Sequence, residues 1–283
     1  MDQELSPIIQ PAALLALKQS GPIVLIDASA GAAAREQYQK MHLEGARYVD
    51  LEVQLADKKA DPANGGRHPL PSPGNFAGVL QQLGISRDSH VIVYDDKNGS
   101  NAAARFWWML KAAGHEKAQV LNGGLSAAIA AGFPVTAGED LAATTGSYPI
   151  GEWQLSIADM NEVEKAAASE QFLVIDVRDA VRFRGEKEPI DLVAGHIPGA
   201  VNIQFTGNLD EQGFFLPPAE LKEKYMQALE NREAEHVIVH CGSGVTACHT
   251  LLAMAYAGMD IPKLYVGSWS EWSRNEQPIG TGA

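Results

Sequence analysis

The stretch Val237-Ile-Val-His-Cys-Gly-Ser-Gly-Val-Thr-Ala247 changes character at its single cysteine. The β-branched run that ends at His240 predicts a buried strand, and the tract Ala247–Ala255 predicts a helix. The glycines and hydroxyl residues between them predict a tight loop at a helix N-terminus, where backbone N–H groups and the helix dipole favour an anion. The stretch therefore predicts a strand–loop–helix unit that can bind one anionic atom.

Cys241 lies at the start of that loop. A free thiol has a pKa near ~8.5, and lowering it by about two units needs roughly 2.7 kcal/mol of preference for the thiolate. Several N–H donors can supply that preference. Free cysteines are often small core residues, but glycine at Gly242 and Gly244 is a poor choice for packing alone. The loop therefore predicts a nucleophilic cysteine.

The composition of the 283-residue chain limits the classes of partner and compartment. Its net charge of −13 argues against nucleic acid as the main partner, because phosphate binding needs a surplus of Lys and Arg. Cys241 and Cys248 form no disulfide framework, and we expect Cys248 in the core and no structural metal. The segment Met1–Pro7 lacks the pattern of a secretory signal, and no apolar run reaches the ~20 residues of a membrane span. We therefore expect a cytoplasmic protein with no membrane partner.

Four motifs of the first half recur in the same order in the second half, at offsets of 149, 154, 146 and 144 residues. The pairs are Val24–Asp27 with Leu173–Asp176, His42–Ala46 with His196–Ala200, His90–Asp95 with His236–Cys241, and Val120–Ser126 with Leu264–Ser270. Such repetition predicts a duplicated domain. Strands and helical tracts alternate in each half, which predicts an α/β fold with a mainly parallel sheet flanked by helices. We expect domains at residues 1–140 and 153–283, joined by a linker at residues 141–152.

The two halves differ at the position of the cysteine. Asp95 stands in the first half where Cys241 stands in the second. A carboxylate cannot accept and release a sulfur atom as a thiolate can. The difference predicts one catalytic domain and one that lacks the catalytic cysteine.

Together these features resemble the tandem-rhodanese sulfurtransferases over nearly the whole chain. The residues that carry the resemblance are the loop Cys241–Ala247, the two Asp-ended strands, His196–Ala200 with its counterpart His42–Ala46, and Gly267–Trp272. The loop is similar to that of the 3-mercaptopyruvate branch, whereas the thiosulfate branch usually has basic residues at the positions of Gly242 and Ser243. The resemblance implies two tandem rhodanese-like domains and no metal or organic cofactor.

The resemblance also implies a proton relay, because mercaptopyruvate carries a thiol proton. Ser243 matches the family hydroxyl, His68 matches its histidine, and Glu52 matches its carboxylate, with Asp50 as a substitute. A hydroxyl, an imidazole and an acid that orients the imidazole can move a proton. The substrate-binding loop is expected to comprise Gly242, Gly244, Val245 and Thr246, with Thr246 bonding the sulfur or capping the helix.

The carboxylate of the substrate needs a cation, and an arginine suits it because its planar fork donates two hydrogen bonds. By family position Arg182 is the substrate-binding arginine. Arg178 is a further candidate and also a partner for a nearby acid, while Arg184 is expected at the surface. The family often has a second arginine where this chain has Ile190 or Asp191, so the preferred sulfur donor stays open.

The resemblance implies ping-pong sulfur transfer from 3-mercaptopyruvate, through a Cys241 persulfide, to a thiol, cyanide or a reduced protein dithiol such as a thioredoxin-like protein. Thiosulfate as the donor is the first alternative. A cysteine phosphatase is a second, but its arginine is missing, since Ala247 stands at that position. A non-catalytic rhodanese-like binding module is the third.

Overall fold

The computed structural model describes residues 5–140 and 146–282, and their contacts divide them into two compact units. The first unit comprises residues 5–55, 71–140, 146–154 and 211–215. The second comprises Ala56–Leu70, Leu155–Asp210 and residues 216–282. Residues 141–145 of the predicted linker lie outside the described residues. Two segments, 56–70 and 211–215, group with a different unit from the half of the sequence that contains them.

The first unit is built from short apolar strands and the helices between them. Its strands are β1 (Ile8–Ile9), β2 (Val24–Asp27), β3 (His42–Leu43), β4 (Ala46–Tyr48), β5 (Val91–Tyr94), β6 (Ala118–Leu121) and β7 (Val135–Thr136). Its helices are α1 (Pro11–Ser20), α2 (Ala34–Lys40), α3 (Pro73–Gln82), α4 (Ala102–Ala112) and α5 (Gly124–Ala130). The start of α3 follows from its sequence, because the Ser72 side chain accepts a hydrogen bond from the Asn75 amide and Pro73 fits the first turn.

The second unit repeats this alternation of strands and helices. Its strands are β8 (Ile157–Ala158), β9 (Leu173–Asp176), β10 (Val201–Asn202), β11 (Val237–His240) and β12 (Lys263–Tyr265). Its helices are α6 (Met160–Ala167), α7 (Ala180–Phe183), α8 (Pro218–Leu229), α9 (Ala247–Tyr256) and α10 (Ser268–Trp272). Two 3₁₀ turns, Phe205–Asn208 and Ala234–His236, complete the described elements.

The main sheets of the two units have the same strand order and are parallel throughout. The first runs β1-β6-β5-β2-β4 and the second runs β8-β12-β11-β9-β10. Each strand of one sheet thus has a counterpart at the same place in the other. This confirms the predicted α/β fold of two tandem domains, each with a parallel sheet flanked by helices.

The sheet of the second unit places the predicted nucleophile near its centre. Strand β11 lies between β9 and β12, and its last residue, His240, aligns with Asp176 at the end of β9. Parallel sheets bind their ligands beyond the carboxyl ends of their strands, which is where Cys241 follows β11. Below that edge, Val174, Ile238 and Trp269 belong to one buried apolar cluster. None of the helices in the described part of the chain could serve as a transmembrane span.

Candidate active site

The backbone around Cys241 is fixed by the short helix α10, whose first residues are called the α10 turn here. The Cys241 amide donates to the Ser268 hydroxyl (3.2 Å), and the Cys241 carbonyl accepts from the Trp269 amide (3.0 Å). The next carbonyl, of Gly242, accepts from the Ser270 amide (2.9 Å). Only 3% of the Cys241 surface is exposed, so the thiol is largely screened from bulk solvent. The Gly-Ser-Trp-Ser element predicted from the family resemblance thus positions the cysteine loop.

The loop turns at Gly244, which has a φ of +71°. A Cβ at this residue would lie 2.5 Å from the carbonyl oxygen of Val266, on the chain that follows β12. Both the left-handed backbone and the close approach therefore require glycine here. The loop can then return into α9, which begins at Ala247.

Replacing Gly244 by alanine is expected to lower the free energy of unfolding by about 3 kcal/mol, since it combines left-handed strain with a backbone clash. The measurement is urea unfolding. Gly258→Ala is the matched control, because Gly258 has a φ of +69° and no atom near its Cβ position, so about 1 kcal/mol is expected. Equal losses in the two variants would contradict the packing assigned to Gly244.

Ser243 and His68 lie within hydrogen-bond distance in the second unit. The Ser243 hydroxyl oxygen is 2.8 Å from His68 Nδ1, and the two side chains are nearly buried. Ser243 is two residues beyond Cys241 in the chain. Through its contact with Ser243, His68 is linked to the cysteine loop. This geometry suits transfer of a proton between a hydroxyl and an imidazole.

His68 is held by the packing of its own segment against the α10 turn. The Gly65 amide donates to Glu271 Oε1 (2.8 Å), and the Arg67 amide donates to the Ser270 hydroxyl (3.0 Å). Gly66 has a φ of +83°, and a Cβ there would collide with the carbonyl of Gly267. The α10 turn therefore positions both the cysteine loop and the histidine segment.

Arg182 lies beside the cysteine loop in a cluster of ion pairs. Its guanidinium binds Glu188, with an Nη2–Oε1 distance of 2.7 Å, and also approaches Asp191 Oδ2 at 3.3 Å. Asp191 binds Arg67 Nε at 3.0 Å and Arg274 Nη1 at 3.1 Å. The side chains of Glu188 and Asp191 are buried, which strengthens these charge-assisted bonds.

The sequence predicts two roles for Arg178, and the structure places it on a nearby acid. Arg178 donates to Asp176 (Nη2–Oδ2, 2.6 Å) and to the Gly195 carbonyl (2.7 Å), and its guanidinium lies over the Trp269 ring. Burial opposes ionisation of Asp176, yet His240 and Arg178 together hold the pKa of that carboxyl below its usual value. Arg178 is only 3% exposed, so its geometry supports a structural role better than contact with the substrate.

The other predicted residues lie as follows. Val245 is buried, and its carbonyl accepts from the Cys248 amide. Thr246 is at the N-terminus of α9, but its side chain makes no capping hydrogen bond within the described structure. Glu52 belongs to the first unit, where its amide donates to Asp50 Oδ1 (2.7 Å). Its part in the proton relay stays a prediction. Arg184 pairs with Glu186 at the surface.

The first unit shows what the equivalent loop does without a cysteine. Asp95 follows β5 at the position that Cys241 has after β11, and its carboxylate accepts four backbone amides. Oδ1 accepts from Lys97 (2.9 Å) and Gly99 (2.8 Å), and Oδ2 accepts from Asn101 (3.1 Å) and Ala103 (3.2 Å). Burial raises the pKa of Asp95, and the four amides act against that rise. The loop of this fold therefore gathers amide donors around the side chain at the cysteine position.

Sequence reasoning missed four members of the charged cluster: Arg67, Glu188, Asp191 and Arg274. Arg67 directly precedes His68, and Glu188 and Asp191 follow Arg182 within nine residues. Closeness in sequence to a predicted site residue was therefore the one signal that could have identified these three. That signal is weak, because charged residues in loops are usually solvated.

A rhodanese-like domain model matches the chain twice, at residues 10–131 and 159–275. The chain belongs to the tandem-rhodanese sulfurtransferase family. A protein of Pseudomonas aeruginosa named "Probable 3-mercaptopyruvate sulfurtransferase" is 42% identical, over 87% of this chain and 86% of that protein. The thiosulfate sulfurtransferase of Gallus gallus is 34% identical, over 87% of this chain and 83% of that protein.

The family assignment also holds for the three-dimensional structure. The solved structure of 3-mercaptopyruvate sulfurtransferase from Leishmania major matches this chain with a TM-score of 0.83 and 28% identity. The match covers 96% of this chain and 75% of that one. Family membership confirms the resemblance read from the sequence and favours sulfur transfer over phosphate-ester hydrolysis.

Proposed function

We propose that this protein transfers sulfur from 3-mercaptopyruvate, through a persulfide on Cys241, to a small thiol, cyanide or protein dithiol acceptor. The observation that carries the choice of donor is the 2.8 Å contact between Ser243 and His68 beside the cysteine loop. A donor that bears a thiol proton needs such a relay, whereas a fully ionised donor does not.

The first half-reaction follows from these groups. The Cys241 thiolate attacks the donor sulfur, an S–S bond forms, and the C–S bond breaks with its electron pair moving into the pyruvate enolate. Ser243 and His68 take the thiol proton and return it to the enolate carbon. Pyruvate leaves, and Cys241 holds a persulfide anion. Atoms and charge balance without an external oxidant or cofactor.

Stabilisation of the anionic sulfur is assigned to the loop amides of Gly242 through Thr246. Support comes from the first unit, where the equivalent loop directs four amides at the Asp95 carboxylate. Fixed N–H donors around a developing negative charge are an effective form of electrostatic catalysis. A thiolate and a persulfide anion would both gain from them.

The second half-reaction passes the outer sulfur to the acceptor and regenerates the thiolate. Cyanide would leave as thiocyanate, and a protein dithiol of the thioredoxin type would release sulfide as it becomes a disulfide. We place this chemistry in the cytoplasm, because neither Cys241 nor Cys248 is in a disulfide within the described residues and a reducing compartment keeps the nucleophile active.

Thiosulfate is the second candidate donor. Ile190 or Asp191 stands where the mercaptopyruvate branch often has an arginine, and a relative at 34% identity is named thiosulfate sulfurtransferase. Arg182 beside the loop would suit the thiosulfate dianion as well as a carboxylate.

Steady-state kcat/KM with each donor, at saturating cyanide, decides between the two. We expect 3-mercaptopyruvate to exceed thiosulfate by about tenfold or more, which is about 1.4 kcal/mol in transition-state stabilisation. A tenfold preference for thiosulfate would refute the choice of donor and leave the persulfide chemistry intact.

A further inference from the structure

Two guanidinium groups converge on the residue that follows the nucleophile. A Cβ at Gly242 would lie 3.0 Å from Arg67 Nη2 and 3.4 Å from Arg182 Nη2. Arg182 comes from α7, and Arg67 comes from the segment Ala56–Leu70, which groups with the second unit. Both cations therefore adjoin Gly242, the neighbour of Cys241 in the chain, and come from different segments.

Asp191 holds these two groups together. Its Oδ1 binds Arg67 Nε (3.0 Å), and its Oδ2 binds Arg67 Nη2 (3.2 Å) and Arg182 Nη2 (3.3 Å). The Asp191 side chain is fully buried, while 24% of Arg67 and 11% of Arg182 remain exposed. The carboxylate thus fixes both guanidinium groups while part of each arginine side chain stays exposed.

The cluster retains positive charge after all its ion pairs are formed. Over residues 5–140 and 146–282, it contains the guanidinium groups of Arg67, Arg178, Arg182 and Arg274 and the carboxylates of Asp176, Glu188 and Asp191. Four cations against three anions leave one positive charge. The negative charge of Asp191 is already balanced by its contacts with Arg182 and Arg274. The positive charge of Arg67 therefore remains for a ligand.

Donor groups also remain for a ligand. The ion pairs of Arg67 and Arg182 use Nε and Nη2, and neither Nη1 takes part in an ion pair within the described part of the chain. A guanidinium has five N–H donors, so each can still bind a further carboxylate. In 3-mercaptopyruvate the carboxylate is two carbons beyond the carbon that bears sulfur. A donor whose sulfur lies at Cys241 can therefore place its carboxylate near the neighbouring residue, Gly242.

We infer that Arg67 and Arg182 together bind the carboxylate of the sulfur donor, with Asp191 as the residue that positions both guanidinium groups. This inference rests on the proposed function. It explains the acid at position 191, because Asp191 recruits a second arginine from residue 67 in place of an arginine of its own. Arg67 and His68 are consecutive, so one segment supplies both substrate charge recognition and the proton relay.

The test compares Arg67→Gln with Arg184→Gln, a matched control at an exposed, surface-paired arginine. With 3-mercaptopyruvate as donor and cyanide as acceptor, Arg67→Gln is expected to raise KM about 10- to 100-fold, as for one lost charged hydrogen bond. The kcat is expected to change less than about threefold, and Arg184→Gln should match the wild type. Discharge of preformed persulfide by cyanide, which lacks a carboxylate, should be equal in all three proteins.

A charge reversal tests the assignment of Arg67 to carboxylate binding. Arg67→Asp places an acid beside Asp191 and near the donor carboxylate, so it should raise KM further than Arg67→Gln. If Arg67→Gln fails to fold, Arg67→Lys, which keeps the charge but not the fork, should fold and give an intermediate KM.

The outcomes separate this inference from the proposed function. A wild-type KM in Arg67→Gln, with persulfide still formed from 3-mercaptopyruvate, overturns the role of Arg67 alone. A wild-type protein that forms no persulfide from that donor overturns the proposed function and the inference together. A loss in kcat with unchanged KM also contradicts the inference, because it points to the reacting atoms and not to carboxylate binding.

Discussion

Cys241→Ser is expected to reduce sulfur transfer from 3-mercaptopyruvate at least about 1,000-fold, because loss of a covalent nucleophile removes the intermediate itself. A serine hydroxyl stays protonated at neutral pH and cannot hold a transferable sulfur. The measurement is pyruvate release together with thiocyanate formation, with cyanide as the acceptor.

Cys248→Ser is the matched control for that variant. Cys248 is fully buried seven residues further along, and its thiol donates to the Gly244 carbonyl at 3.4 Å, a bond that a hydroxyl can also make. We expect it to keep most of the activity. If Cys241→Ser retained more than a tenth of the wild-type kcat/KM, the nucleophile would have to be sought elsewhere.

His68→Ala and Ser243→Ala are each expected to lower kcat for 3-mercaptopyruvate about 100-fold or more, the usual contribution of a positioned acid or base. The two side chains are 2.8 Å apart and act on the same proton, so the double variant should lose little more than either single one. Steady-state kinetics of the three variants gives this coupling directly.

Thiosulfate provides the internal control for the relay, because it brings no thiol proton. With this donor we expect both single variants to stay within about threefold of the wild type. Equal losses with both donors would show that the pair shapes the loop and does not move a proton. Additive losses with mercaptopyruvate would show that the two side chains act separately.

Much of the fold could be predicted because the chain encodes it locally and encodes it twice. The Asp-ended strands Val24–Asp27 and Leu173–Asp176 occupy the same place in two sheets of identical order. Short β-branched runs followed by glycine loops specify a strand and its exit without reference to distant residues. The loop of Cys241 could be predicted for the same reason.

The division into units could not be predicted in this way. The segment Ala56–Leu70 groups with the second unit, and its bond from Gly65 to Glu271 spans 206 positions of sequence. Periodicity reports which face of an element is apolar, but not which distant surface accepts it. Tertiary packing alone places this segment, and with it His68 and Arg67.

The charged cluster shows the same limit at the level of one residue. From the sequence, Ile190 or Asp191 stands where a second substrate-binding arginine is expected, which indicates the loss of a cation. In three dimensions Asp191 binds Arg67 from 124 positions earlier in the chain, so the cation is supplied by another segment. Arg178 is the converse case. The sequence makes it a candidate to bind the substrate, but its guanidinium is bound to Asp176, two residues before it.

The intact mass of the protein shows whether Cys241 carries one transferred sulfur atom. After brief incubation with 3-mercaptopyruvate without acceptor, the wild type should gain the mass of one sulfur atom and lose it again when cyanide is added. Peptide mapping should place the added sulfur on the peptide that contains Cys241. An unchanged mass, or a gain that persists in Cys241→Ser, would contradict the account.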